Sequence, residues 1–312
     1  MSEAGITVGI STLDRPAALA RCLASLAAGA MHPDEIIVVD QAQGAEASEV
    51  AAEASRAGLR IEYVRQEGRG LGRSQNEIFR RARYAVVAVI DDDCVADARW
   101  LAAIVSAFAE GSVDAVAGRV MPMEPEGERR FPVSSRTSTE RRDFTGPSLP
   151  WLVGSGNNFA VAREWLARIG GCDERLGPGS PARGGVDMDL FHRLLRAGAR
   201  LRYEPDAIVH HERQTRAERL ARRPMYGRGM GACVGLWLRQ GDSHALRVLG
   251  AWLLLRTRLA AAALRRRDWL GVREELMMLR GTVGGLGHGL VVGGVRPPLS
   301  DAAGGAAGGA VR

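Results

Sequence analysis

Short β-branched runs alternate with helical stretches through the first 120 residues, and this restricts the fold more than any other feature. ITVGIS (Ile6 to Ser11), EIIVVD (Glu35 to Asp40), LRIEYV (Leu59 to Val64) and AVVAVI (Ala85 to Ile90) read as strands. Between them lie a helix opened by Pro16, an alanine-rich helix to about Ala57 and a helix over 71–83. Proline is tolerated at a first helical position because its missing N–H has no partner there. The last strand is nearly all apolar, as a strand covered on both faces should be. Such alternation predicts an α/β fold with right-handed crossovers and a parallel sheet. Ligands of these sheets bind beyond the carboxyl ends of the strands, where Asp40 and Asp91 to Asp93 stand.

From Pro122 to Pro150 the pattern gives way to charged, proline-bearing sequence, read as a long loop. NNFAVAR then predicts a strand, with a helix from Glu164. The Gly/Pro-rich segment 170–185 reads as a loop able to close over a site, ahead of a helix over 186–197. LRYE and AIVHH read as two short strands. Residues 217–280 are helical and arginine-rich, and the closing RPPLSDAAGGAAGGAVR has linker composition. The expected division is an α/β catalytic domain over 1–215, a basic helical extension over 216–290 and a flexible tail over 291–312.

The 312-residue chain has a formal charge of +6 and no lysine, so its basic side chains are arginines. That excludes a Walker-type phosphate loop and any lysine nucleophile or base. Cys22, Cys94, Cys172 and Cys233 are scattered without a C-x-x-C pair, which fits a reduced compartment. The opening MSEAGITVGIST lacks a basic region before an apolar stretch, so no signal peptide is expected. No run approaches the roughly 20 apolar residues of a spanning helix. The expected location is cytoplasmic, with a peripheral position on the inner face of the membrane as an option.

Three constellations carry possible chemistry. Asp91-Asp92-Asp93 directly follows a buried strand, and crowded carboxylates repel unless a cation joins them. Oxygen ligands of this kind suit Mg²⁺ or Mn²⁺; the competing reading is an acidic turn before the next helix. Asp187 and Asp189 open the helix in GGVDMDLFHRLLRAG, where a helix N-terminus favours anions, so capping competes with catalysis. His210 and His211 end AIVHH and point to opposite faces, leaving at most one to face a site.

This order of pieces resembles glycosyltransferase family 2, the inverting enzymes of the GT-A fold, over about Ile6 to His211. STLDRP looks like the first nucleotide-contacting loop, placing Thr12 and Asp14 near the base. VVDQA is similar to V-V-D-D-G-S, making Asp40 a base contact, with Gln41 in place of the second acid. GLGRSQNEIFRRA resembles the G-x-x-x-A-R-N-x-G helix, with Asn76 kept and Gln75 where arginine is usual. DDDC matches D-x-D, implying Asp91 and Asp92 at the nucleotide sugar and Asp93, with Asp91, at a metal. GSGNNFAVAR resembles the sugar-side strand and implicates Gly156 and Asn158. GGVDMDLFHRLLRAG looks like G-G-E-D-x-D-L-x-x-R-L, with Val186 in place of glutamate. It implies Asp187 as base, with Asp189 as the alternative. DAIVHH resembles the closing strand and gives His211 to the metal side.

The resemblance implies a GT-A-type, Rossmann-like nucleotide-binding sheet flanked by helices, with a helical C-terminal extension. It further implies transfer of a sugar from a UDP-, GDP- or dTDP-sugar to a glycan, lipid-linked or small-molecule hydroxyl, assisted by Mg²⁺ or Mn²⁺. Asp187 is expected to be ionised at neutral pH, at or below the ~3.9 of an ordinary aspartate. Two other classes compete: a sugar nucleotidyltransferase, against which STLDRP lacks a glycine-rich loop, and a non-catalytic sugar- or partner-binding domain. A nucleic-acid partner is not expected, since no aromatic stacking motif or helix-turn-helix accompanies the positive charge. In the carboxyl-terminal region tryptophans and leucines, Trp252 and Trp269 among them, interleave with arginines. That pattern fits an interfacial helix or helices packed on the catalytic domain.

Overall fold

The computed structural model describes residues 3–292; the tail beyond Val292 lies outside the described residues. In chain order the elements begin β1 (Glu3–Thr12), α1 (Pro16–Ala27), β2 (Glu35–Asp40), α2 (Glu46–Arg56), β3 (Ile61–Arg65), α3 (Leu71–Arg81) and β4 (Tyr84–Ile90). Next come β5 (Cys94–Ala96), α4 (Trp100–Ala109), β6 (Ala115–Pro122), β7 (Arg142–Phe144), α5 (Pro150–Val153), β8 (Asn158–Ala162) and α6 (Arg163–Ile169). The rest are α7 (Val186–Arg196), β9 (Leu201–His211), α8 (Arg216–Arg239), α9 (His244–Arg265) and α10 (Trp269–Val291).

All nine strands form one sheet, in the order β3-β2-β1-β4-β8-β6-β9-β5, with β7 beside β9. The parallel expectation holds for β3, β2, β1 and β4, but β8 runs antiparallel to β4 and to β6, and β5 and β7 run antiparallel to β9. The reversal at β8 matters for function: its first residue pairs with the last of β4, Ile90 with Asn158, so the start of one strand meets the acidic end of the other. LRYE and AIVHH form one strand. Its pairing with β6 skips residues 205–207, since Pro205 has no N–H to offer a ladder. The 122–150 segment is tied down by β7 and by bridges from Val120 to Arg136 and from Phe131 to Gln214.

Apolar side chains alternate across the sheet into two cores. Ile37, Val39, Val87, Val89 and Phe159 face α3, α7 and the inner sides of α8 and α9. Ile10, Ile36, Val38, Ala88 and Ile90 face α1 and α4. Helix α8 starts on a capping box, with Thr215 Oγ1 accepting from Glu218 N–H and Glu218 Oε2 accepting from Thr215 N–H.

Helices α8 and α10 approach almost backbone to backbone. A Cβ on Gly227, Gly231 or Gly235 would lie 2.0, 2.1 and 2.7 Å from carbonyl oxygens of α10. One on Gly281, Gly285 or Gly289 would lie 2.3, 2.0 and 2.3 Å from carbonyls of α8. Four-residue spacing puts each triplet on one helix face, and only glycine permits this separation. Gly285→Ala should therefore destabilise the protein by about 1–3 kcal/mol through overpacking. Gly287 has nothing within 4 Å of such an atom. Gly287→Ala should instead stabilise by up to about 1 kcal/mol from helix propensity. Denaturant midpoints of the two variants, moving in opposite directions, check the packing.

Candidate active site

The carboxyl ends of β1 and β4, the end of β9 and the start of α7 converge on one region. Thr12, the last residue of β1, donates from Oγ1 to Asp92 Oδ2 at 2.7 Å. Arg15, which the sequence reading passed over, bonds Asp93 Oδ2 through Nη1 and places Nη2 2.7 Å from Asp92 Oδ1. Its guanidinium therefore lies across two of the three carboxylates, with 44% of its side chain exposed. His211 is buried and sets Nε2 3.4 Å from Asp93 Oδ1. His210 pairs opposite Val95 and is half-buried, so alternation separates the two imidazoles as expected.

Burial dominates the electrostatics here. It pushes Asp91 well above the usual carboxylate range, helped by the charges of Asp93 and Asp92. Burial also pushes Asp92 up to about 6, against the pull of Arg15 and the Thr12 hydroxyl. Asp93 goes the other way: burial raises it, but His211 and Arg15 outweigh burial and hold it below the ordinary value. Burial lowers His211, opposed by Asp93.

The His211 ring has a defined tautomer. Nδ1 lies 2.7 Å from the Glu212 carbonyl, which only accepts, so Nδ1 carries the proton. On a neutral ring Nε2 is then a lone pair facing a carboxylate oxygen that has no hydrogen bond. Two acceptors facing each other are satisfied by a cation between them, and the residues present fit a divalent metal. Cys94 falls in the same cluster, but burial pushes its thiol up and keeps it protonated.

Asp187 sits at the start of α7, where its Oδ2 accepts from Gly156 N–H at 2.9 Å. A Cβ at Gly156 would lie 2.9 Å from the Asp187 Cβ, so glycine is what allows this contact. The adjacent Asn157 carbonyl accepts from Asp91 N–H at 3.4 Å, which links Asp187 to the acidic cluster through two successive residues. Burial raises Asp187 despite backbone N–H groups from Met188, Gly156 and its own residue. This corrects the expectation of an ordinary or lowered value: desolvation outweighs the helix N-terminus. Asn157, also passed over in the sequence, is buried with both side-chain amide atoms unpartnered. Its only sequence signal was adjacency to Asn158.

Several expected site residues are engaged elsewhere. Asn76 bonds the loop after α6, donating to the Cys172 carbonyl and Glu174 and accepting from Cys172 N–H. Asn158 accepts from Trp100 Nε1 at 2.9 Å and donates to the carbonyls of Arg119 and Ala207. Asp189 accepts from Trp237 Nε1 at 2.8 Å and Arg193 Nε at 2.7 Å. Asp40 is buried, accepting from Tyr63 Oη and Ala42 N–H, both at 2.8 Å. Asp14 is exposed at the rim, at a φ of 54°, with Arg69 3.6 Å away. Gln41 accepts from Gly70 N–H at 2.6 Å, bracing the start of α3. Val186 is buried against Gly72 and Gly177, which accounts for an apolar residue there. The segment 170–185 is fastened, with Leu71 N–H bonded to the Pro178 carbonyl and Arg228 to the Pro181 carbonyl.

Residues 7–170 match the family model described as Glycosyl transferase family 2. The chain belongs to that family. It is 34% identical over 182 residues to the pre-mycofactocin glycosyltransferase of Mycobacterium tuberculosis, a match covering 54% of this chain and 36% of that protein. It is 25% identical over 242 residues to chondroitin synthase of Escherichia coli, covering 67% of this chain and 34% of the synthase. The chain thus spans about a third of the length of these relatives. In fold it is similar to a mannosyltransferase from Pyrobaculum calidifontis solved with GDP-Man and Mn²⁺, with a TM-score of 0.60 and 18% identity over 91% of this chain and 88% of that one. It is also similar to TarS of S. aureus, with a TM-score of 0.54 and 16% identity over 74% and 64% of the two chains. The GT-A fold and the glycosyltransferase class expected from the sequence are therefore those of the family.

Asp187 and Asp189, two residues apart, separate cleanly in geometry. Removing one partner of a buried ion pair is strongly destabilising, by about 3–5 kcal/mol. Asp189→Ala should show a loss of this size in denaturant unfolding, because the Trp237 indole loses its acceptor and Arg193 keeps only the carbonyls of Ile169 and Gly171. Asp187→Ala should lose much less.

Proposed function

We propose that the protein moves a sugar from a nucleoside-diphosphate sugar to a hydroxyl acceptor by direct displacement with inversion, Asp187 acting as base. The observation that carries this reading is the Asp187 carboxylate, held by Gly156 N–H beside the cluster that ends β4. In this reading residues 1–215 carry the chemistry. The donor nucleotide lies along Thr12, Asp14 and Asp40, and its sugar near Asp91, Asp92, Gly156 and Asn157. Asn76, Asn158 and Asp189 hold the frame.

Asp93 and His211, with Asp91, would hold Mg²⁺ or Mn²⁺; the imidazole ligand favours Mn²⁺. When bound, such an ion neutralises charge on the departing diphosphate. The Pyrobaculum mannosyltransferase, with its GDP-Man and Mn²⁺, supports both the donor class and the metal. The acceptor oxygen bonds to the anomeric carbon as the bond from that carbon to the diphosphate oxygen breaks, and the acceptor proton passes to Asp187. A carboxylate raised by burial is a better base than a solvated one. One displacement by one acceptor inverts the anomeric centre and needs no covalent nucleophile.

Asp187→Asn keeps the shape and the bond from Gly156 available but cannot take the proton. Transfer at saturating donor should fall by ~10² to 10⁴-fold with donor affinity retained. The acid limb of the wild-type rate should lie above the pH range of an ordinary aspartate, since the base must be ionised and its pKa is raised. Full activity in Asp187→Asn, or a product that keeps the donor's anomeric configuration, would end this mechanism.

A further inference from the structure

The outward face of α10 has no partner among the described residues. Trp269, Leu276, Val283 and Leu290 are 67, 57, 71 and 44% exposed, unusual values for large apolar side chains in a packed helical region. They recur every seven residues, a step that drifts only ~20° around a helix, so all four share one face. Trp269, Val272, Arg273, Leu276, Met277 and Arg280 line an open depression along it. The opposite face is locked to α8 by the interleaved glycines, so the stripe sits on a rigid support. Trp252, for which the sequence left an interfacial or a packed position open, is not part of it. Its ring packs against Trp151, 5.4 Å between centroids, and its Nε1 bonds Thr282.

Charge decides what covers the stripe. Arg273 and Arg280 line the depression with it, and Arg266 and Arg267 in the preceding turn and Arg258 and Arg265 on α9 are exposed as well. The exposed acid among α9, α10 and their turn is Asp268, spent on capping α10 through Gly271 N–H. Glu274 and Glu275 are buried against Arg219, Arg223 and Arg256. A second copy docking through the same face would bring the same arginines and no exposed glutamate to pair with them. We propose that the face is a docking surface for an anionic lipid bilayer, with the four apolar side chains entering the interface and the arginines meeting lipid phosphates. No helix among the described residues is long and apolar enough to cross a membrane, so α10 would lie along the surface.

The test uses the full chain and sedimentation with vesicles of phosphatidylcholine alone or with a third phosphatidylglycerol, alongside the oligomeric state without lipid. The expected result is a monomer that binds the anionic vesicles, binds neutral ones far less, and is released as salt rises. Leu276→Glu with Val283→Glu should cut binding at least tenfold. Arg273→Gln and Arg280→Gln should each cut it about fivefold, the equivalent of ~1 kcal/mol per arginine near such a surface. All these positions are exposed, and circular dichroism confirms folding of each variant. Absent vesicle binding, binding unchanged by both sets of substitutions, or a dimer that dissociates in Leu276→Glu would overturn the proposal. Sugar transfer is not measured, so failure here leaves the reading of Asp187 untouched.

Discussion

Three adjacent aspartates following the buried carboxyl-terminal half of a strand cannot all keep their charge unless positive groups come to them. Much of the surrounding architecture answers that demand. Strand β1 delivers the Thr12 hydroxyl to Asp92, and the turn after it delivers Arg15 to Asp92 and Asp93. Strand β9, 11 residues long, carries His211 at its end to Asp93. Even so the balance is incomplete. Asp91 is pushed toward its neutral form, and on a neutral ring the His211 Nε2 lone pair faces a carboxylate oxygen that has no hydrogen bond. A divalent cation at Asp93 and His211 would complete the balance, with Arg15 turning toward the diphosphate that accompanies it.

A second tier of polar residues holds this cluster in register. Asn158 ties β8 to Trp100, β6 and β9 beneath the site, and Asn76 clamps the segment that leads into α7. Asp189 anchors α7 to the Trp237 indole on α8, so the helix that presents Asp187 is fixed from below. The carboxyl-terminal helices contribute to the same core through Met230, Trp237, Val248 and Met278. Their inner faces support the sheet, while Leu254, Trp269, Leu276 and Val283 on their outer faces are exposed.

The strands β2 and β4 were legible because burial on both faces leaves a continuous apolar run, and α1 and α3 because their starts and periods are clear. The short β5 and the strand β6 were not. Three residues carry too little pattern, and AVAGRVMP has a glycine and an arginine inside it. Direction was also invisible, since the hydrogen-bond partners of β8 lie far away in sequence. At the site, residue types pointed to the right region but could not say which member of a pair faces it. Asn157 lies in the turn before β8 while Asn158 opens the strand, and Asp187 and Asp189 differ by ~200° of helical turn. Arg15 was missed because an isolated arginine after a strand has no local signature. Trp252 stayed undecided because a stripe interleaved with arginines looks alike whether it packs inward or faces a surface.

The central claim is that Asp93 and His211 Nε2 share a divalent cation. Mn²⁺ anomalous scattering from crystals grown with MnCl₂ and a nucleoside diphosphate tests it most directly. The account predicts a peak between Asp93 and His211 Nε2, with Arg15 moved off Asp93. Crystals with the nucleotide bound, Arg15 still on Asp93 and no peak beside His211 would contradict it.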